Sequence, residues 1–133
     1  MIGPWRLIEL TIGYILTVLG TIFLTWGTLS IGISRAEGGE IDKSSEKSSL
    51  ITKGAYALCR HPITLGFIFA IPGIALIFDS TTLILATIIY IPKMFLLLIY
   101  EERELLRRFG KDYEEYRTSV PFLIPRKKLN KKP

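Results

Sequence analysis

The hydrophobic positions of this chain are grouped in long blocks rather than spread at amphipathic spacing. From Leu10 to Ile33 there are 24 residues without a charged side chain, and a helix needs about 20 such residues to cross the roughly 30 Å hydrocarbon core of a bilayer. A second uncharged run covers Pro62 to Phe78, and a third covers Ser80 to Tyr100 with Lys93 as its one interruption. The pattern predicts an all-α integral membrane protein with three transmembrane helices, at about 7–33, 62–78 and 80–100. The second and third form a hairpin around "DSTT". Pro72 and Gly73 inside the second run predict a kink, because proline leaves a carbonyl of the preceding turn without its partner.

Polar stretches separate these blocks. From Glu37 to Ser49 the chain is mostly Gly, Ser, Glu and Lys, a composition that cannot bury a core and predicts a flexible loop. Ile51 to Leu58 is mixed and predicts a short interfacial helix before Pro62. In the tail, Leu105, Phe109, Tyr113, Tyr116 and Val120 recur at spacings of three and four. That is the apolar stripe of an amphipathic helix continuing the third span out of the membrane. Gly110 is placed to divide it, and Pro121 and Pro125 to end it. Glu104 with Arg108, and Lys111 with Glu115, stand four apart as solvated pairs.

Charge then orients the chain. Of its 17 Lys and Arg, the linker carries Arg35, Lys43, Lys47, Lys53 and Arg60, ten lie from Arg103 onward, and the hairpin loop has none. The positive-inside rule therefore puts the linker (34–61) and the C-terminal tail (101–133) in the cytoplasm, with the N-terminus and the hairpin loop outside. The formal net charge of +5 sits beside apolar spans, which favours anionic lipid headgroups over nucleic acid as the partner. A secretory signal peptide is disfavoured, since its apolar core would be about 7 to 15 residues long. One cysteine, Cys59, excludes an internal disulfide, and one histidine, His61, makes a metal site improbable. All 133 residues are expected to form one membrane domain.

The hairpin brings distant polar residues to one membrane depth: Arg60, His61 and Pro62 at its entrance, Glu101 and Glu102 at its exit. Arg60 presents a planar fork suited to a carboxylate or phosphate. Its bland alternative is a side chain snorkelling to headgroups. His61 alone reads as a capping or hydrogen-bonded residue, and the two glutamates as ordinary helix-exit charges or as a site for an ammonium group or ribose hydroxyls. Glycosidase chemistry is excluded, because adjacent helix positions point about 100° apart. Lys93, an ionisable residue inside an apolar run, is either a site residue or a snorkelling one. Phe67, Phe69 and Phe95 read as packing or lipid contacts.

With these residues in place, the chain resembles the isoprenylcysteine carboxyl methyltransferases and their relatives, the phospholipid N-methyltransferases. "GAYALCRHPITLG" is similar to the family pattern Gly-x-Tyr-x-x-x-Arg-His-Pro-x-Tyr-x-Gly, and "EERELLRRFGKDYEEYRTSVPFLIP" to its Glu-Glu, Phe-Gly, Tyr-x-x-Tyr and Val-Pro tail. The resemblance implies a membrane enzyme that uses S-adenosylmethionine near the cytoplasmic face. By position, Arg60, His61 and Glu102 would form the catalytic set. Tyr56, Arg60, His61, Pro62, Gly66, Glu101 and Glu102 would bind the cofactor. The expected methyl acceptor is lipophilic, with the carboxylate of a C-terminal isoprenylcysteine first and a phospholipid or small lipophilic amine second. Two departures stand out: Thr64 replaces the usual tyrosine, and one span precedes the hairpin where relatives commonly have more, so a second copy in a homo-oligomer is expected to supply missing walls. A membrane reductase using a nicotinamide cofactor and a non-catalytic scaffold are the rival readings.

Overall fold

The structure, a computed structural model, describes residues 3–37 and 50–126. The expected loop through Ser49 and most of the basic C-terminal end lie outside the described residues. Element order is α1 (Pro4–Glu37), a single 3-10 turn (Gly54–Ala57), α2 (Pro62–Ile77), α3 (Thr81–Phe109) and α4 (Lys111–Ser119), with no strand among the described residues.

Two of these helices, α1 and α3, are long and apolar enough to cross a membrane. At 34 and 29 residues they rise about 51 and 44 Å, so each has length to spare beyond a hydrocarbon core of about 30 Å. The middle helix is shorter than the 62–78 expectation. Its 16 residues rise about 24 Å, less than the core thickness. Large apolar side chains stand exposed along α1 and α3, among them Ile15, Ile22, Leu29, Leu85, Ile88 and Leu96, a surface suited to an apolar solvent.

α2 is the middle layer, and its contact with α1 is made of small residues. Gly13 faces Gly73, Gly20 faces Gly66 and Ala70, and Gly27 faces Pro62 and Ile63, so the two helices run antiparallel. The approach is backbone to backbone: a Cβ added at Gly20 would stand 2.5 Å from the Ala70 nitrogen and 2.6 Å from the Gly66 carbonyl. Small residues permit such close packing where lipid provides no hydrophobic drive for helices to associate. Along α1, Thr11, Thr17, Thr21 and Thr28 each donate to the carbonyl four residues back, at 2.8 Å, which satisfies their hydroxyls within the helix.

The far end of the α1–α2 pair is closed by Arg6. It donates to the carbonyls of Leu76 (2.8 Å) and Ile77 (2.6 Å) and pairs with Glu9 at 3.3 Å. A cation on the last carbonyls of α2 complements the negative end of that helix. The hairpin then turns through Asp79, at φ 49°, and Ser80 caps α3 by accepting from Leu83 N–H at 3.3 Å.

At the other end, Gly54 sits at φ +65°, where a Cβ would collide with Ser30. Ser30 accepts from the Ala55 N–H at 3.0 Å and donates to the Trp26 carbonyl at 2.7 Å. The 3-10 turn is thereby fixed to α1 immediately before the Arg60-His61-Pro62 corner. The expected interfacial helix before Pro62 is thus this one turn.

The tail follows the stripe. α3 runs to Phe109, Gly110 turns at φ +55°, and α4 folds so that Tyr113, Tyr116 and Val120 cluster with Leu50, Leu105 and Phe109. Glu104 pairs with Arg107, three residues along, at 3.4 Å.

Adding one methyl at Gly20 forces the helices apart, and overpacking of this kind costs about 1–3 kcal/mol. Gly20→Ala is expected to lower the thermal midpoint in detergent. Gly32→Ala, whose Cβ would meet nothing within 4 Å, is expected to leave it unchanged or slightly raised. Equal midpoints for the two variants would refute the close-packing account.

Candidate active site

The corner and the helix exit meet. Arg60 Nη1 lies 2.5 Å from Glu102 Oε1, His61 Nε2 lies 3.2 Å from the same oxygen, and the Tyr113 hydroxyl donates to it at 3.1 Å. One carboxylate oxygen at the α3 exit therefore collects groups from the α2 entrance and from α4. A carboxylate only accepts, so the proton on His61 is at Nε2.

Arg60 is held from two further sides. Its backbone N–H donates to the Pro121 carbonyl at 3.0 Å, and its guanidinium carbon lies 5.3 Å from the centre of the Phe122 ring, within cation–π range. The His61 ring meets the same phenylalanine edge-on at 5.1 Å. Arg60 Nε and Nη1 are buried with no aligned hydrogen-bond acceptor, so the contact with Glu102 is an ion pair that leaves guanidinium N–H capacity unused.

The surrounding shell is dry. Cys59 is fully buried in a cluster with Leu65, Leu98 and Leu123. Burial pushes its thiol up to about 11, against a smaller opposing pull from the backbone of His61. Burial also holds the His61 imidazole below the ordinary histidine range, outweighing the Glu102 hydrogen bond that acts in the other direction. Tyr116 and Tyr56 are raised above the usual tyrosine range, again chiefly by burial. Tyr116 donates to the Tyr56 carbonyl at 2.6 Å, which ties α4 to the 3-10 turn.

Of the residues expected from the sequence, Arg60, His61 and Glu102 come together directly. Tyr56 is half-buried beside them, Pro62 is fully buried as the first residue of α2, and the Glu101 charge acts on both His61 and Tyr56, although the residue is exposed. Gly66 lies apart from this cluster: it packs against α1, where an added Cβ would meet Leu24 and the Gly20 carbonyl. Three participants went unrecognised in the sequence as site residues: Tyr113, Phe122 and Pro121. Their signal was present in part, since a stripe that needs only apolar side chains carries two phenols. No group of three or more His, Cys, Asp or Glu able to hold a metal occurs among the described residues.

Fold and site together define a helical membrane protein with a buried polar centre where the start of α2, the C-terminal part of α3 and α4 meet. The chain belongs to the phospholipid methyltransferase family, whose profile matches residues 8–112. It is 37% identical over 90 residues to methanethiol S-methyltransferase 2 of Bradyrhizobium diazoefficiens, covering 67% of this chain and 32% of that one. It is 29% identical over 114 residues to protein-S-isoprenylcysteine O-methyltransferase B of Arabidopsis thaliana, covering 85% and 57%. It is also 28% identical over 121 residues to the nickel-cobalt-cadmium resistance protein NccN of Alcaligenes xylosoxydans xylosoxydans, covering 90% and 51%. The chain thus spans between about a third and somewhat over half of the length of these curated relatives. No solved structure matches it.

Because the folded-state pKa of His61 is depressed, the unfolded chain takes up a proton first as pH falls below about 6.5. The stability associated with neutral His61 is present above that pH and is lost on acidification. The thermal midpoint is expected to fall between pH 7 and 5 by more in the wild type than in His61→Gln. Parallel pH curves for the two proteins would contradict a buried neutral imidazole.

Proposed function

We propose that this protein catalyses S-adenosylmethionine-dependent methyl transfer at the cytoplasmic face of a membrane to a lipophilic acceptor. The observation that carries this is the convergence of Arg60, His61 and Glu102 at the hairpin mouth, with the buried Nε of Arg60 left without an acceptor. The proposed arrangement has α1, α2 and α3 crossing the membrane, with linker and tail on the cytoplasmic side as one domain and anionic headgroups against the basic end.

The residues present fit the methyl donor. The unused N–H groups of Arg60 suit the carboxylate of its methionine moiety, and Glu102, with Glu101 beside it, suits the ammonium group or ribose hydroxyls. Tyr56 and Pro62 wall the site. When bound, the cofactor supplies an electrophilic methyl group on a positively charged sulfur, open to in-line displacement. What the protein must then do is align and exclude water, with no covalent nucleophile demanded. The buried shell of Cys59, Leu65, Leu98, Phe122 and Leu123 serves the second task.

A carboxylate acceptor, as on a C-terminal isoprenylcysteine, is already ionised at neutral pH and needs no base. That fits a site whose one imidazole already gives its Nε2 proton to Glu102. A second acceptor class, a small thiol, is favoured by the 37% identity to a methanethiol S-methyltransferase. A thiol must lose its proton, and neutral His61 is the available base.

Isothermal titration of S-adenosylhomocysteine into the detergent-purified protein tests the site. Saturable binding is expected, weakened by about tenfold or more in Arg60→Ala, the scale of a lost charge-assisted hydrogen bond. Folded wild-type protein that takes up no ligand would overturn the proposal. Methyl transfer to a farnesylated cysteine analogue or to methanethiol then decides the acceptor.

A further inference from the structure

Glu102 is the group on which the side chains of Arg60, His61 and Tyr113 converge, yet α3 alone does not hold it in place. Its carboxylate projects from a helix that has left the apolar layer, and its partners Arg60 and His61 are themselves the groups a ligand would engage. Tyr113 differs from both. It is 1% exposed, stands on α4 beyond the Gly110 turn, and gives its hydroxyl to Glu102 Oε1 at 3.1 Å. Its ring is fixed in the cluster with Tyr116 and Val120 and lies 6.0 Å from that of Tyr116.

We infer that Tyr113 is a positioning residue for the cofactor site: its hydroxyl keeps the Glu102 carboxylate aimed at the ligand's ammonium or ribose when Arg60 turns from Glu102 to the ligand's carboxylate. The inference rests on the proposed cofactor site and deepens it. Arg60 Nη1 serves Glu102 while Nε has no acceptor, so a ligand carboxylate that takes Nε draws the guanidinium toward itself and loosens its contact with Glu102. A carboxylate released by its cation needs another donor to stay oriented in a dry environment. Tyr113 is suited to that role because it is neutral and remains so: burial raises its phenol above the usual tyrosine range, against an opposing pull from Arg60 beside it. The helix break at Gly110 thereby acquires a purpose, since it is what brings α4 and this hydroxyl back to the exit of α3.

The test compares Tyr113→Phe, which keeps the ring and removes the hydroxyl, with Val120→Ala, which loosens the same cluster at a residue that contributes no polar group to Glu102. S-Adenosylhomocysteine is titrated into each detergent-purified protein, and the ligand-free thermal midpoint is measured alongside. Tyr113→Phe is expected to bind about tenfold more weakly with the smaller loss of midpoint. Val120→Ala is expected to bind within about twofold of wild type with the larger loss, since it opens a cavity in the packed cluster. Wild-type affinity in Tyr113→Phe would overturn the inference while leaving the cofactor site intact. So would weakening in both variants in proportion to their lost midpoint, because Tyr113 would then act only by docking α4. Absence of binding by the wild type would remove the cofactor site itself, and this inference with it.

Discussion

Everything in this molecule is referred to the close contact between α1 and α2. Apolar surface in lipid is already in an apolar solvent, so helices there gain little by merely touching. They associate through backbone proximity and close van der Waals fit. Gly13, Gly20 and Gly27 on one helix and Gly66, Ala70 and Gly73 on the other supply that proximity. The contact fixes both ends of α2. At one end Arg6 closes its last carbonyls. At the other, Ser30 of α1 holds the turn that leads into Arg60.

A rigid entrance to α2 matters because the site is assembled from three separate directions. Arg60 and His61 come from the residues before α2, Glu102 from α3 as it leaves the apolar layer, and Tyr113 from α4 after a sharp turn. The carboxylate at their centre is 15% exposed and its arginine partner 9%. Removing such a pair from water carries a desolvation cost that the attraction must offset. The extra donors on Oε1 and the ring of Phe122 against Arg60 contribute to that offset, and the same burial keeps His61 uncharged. The pair still leaves the buried Nε of Arg60 uncommitted.

Much of this was legible along the chain. Uncharged block lengths located α1 and α2 to within four residues and the start of α3 to within one, the stripe from Leu105 to Val120 foretold the cluster on the tail, and Gly110 marked the break. What could not be read was pairing. Arg6 looked like an isolated flanking charge, Ser30 like one more small residue in a span, and Tyr113 like part of an apolar stripe. Each acquires its role from a partner 11 to 71 positions away.

The sequence by itself determined that this is a helical membrane protein, that its second and third apolar runs form a hairpin, and that an arginine and a histidine stand at the hairpin's entrance and two glutamates at its exit. Composition and spacing decide these things, because the cost of burying charge in lipid and the fixed rise of a helix leave few alternatives. Only the tertiary structure decided which of those charges share an atom, that Glu102 rather than Glu101 is the shared group, and that Gly66 packs against α1. Those outcomes depend on the rotation of each helix about its axis. For α1 and α2 that rotation is set by the fit of particular glycines against a neighbouring backbone, and a single sequence does not print it.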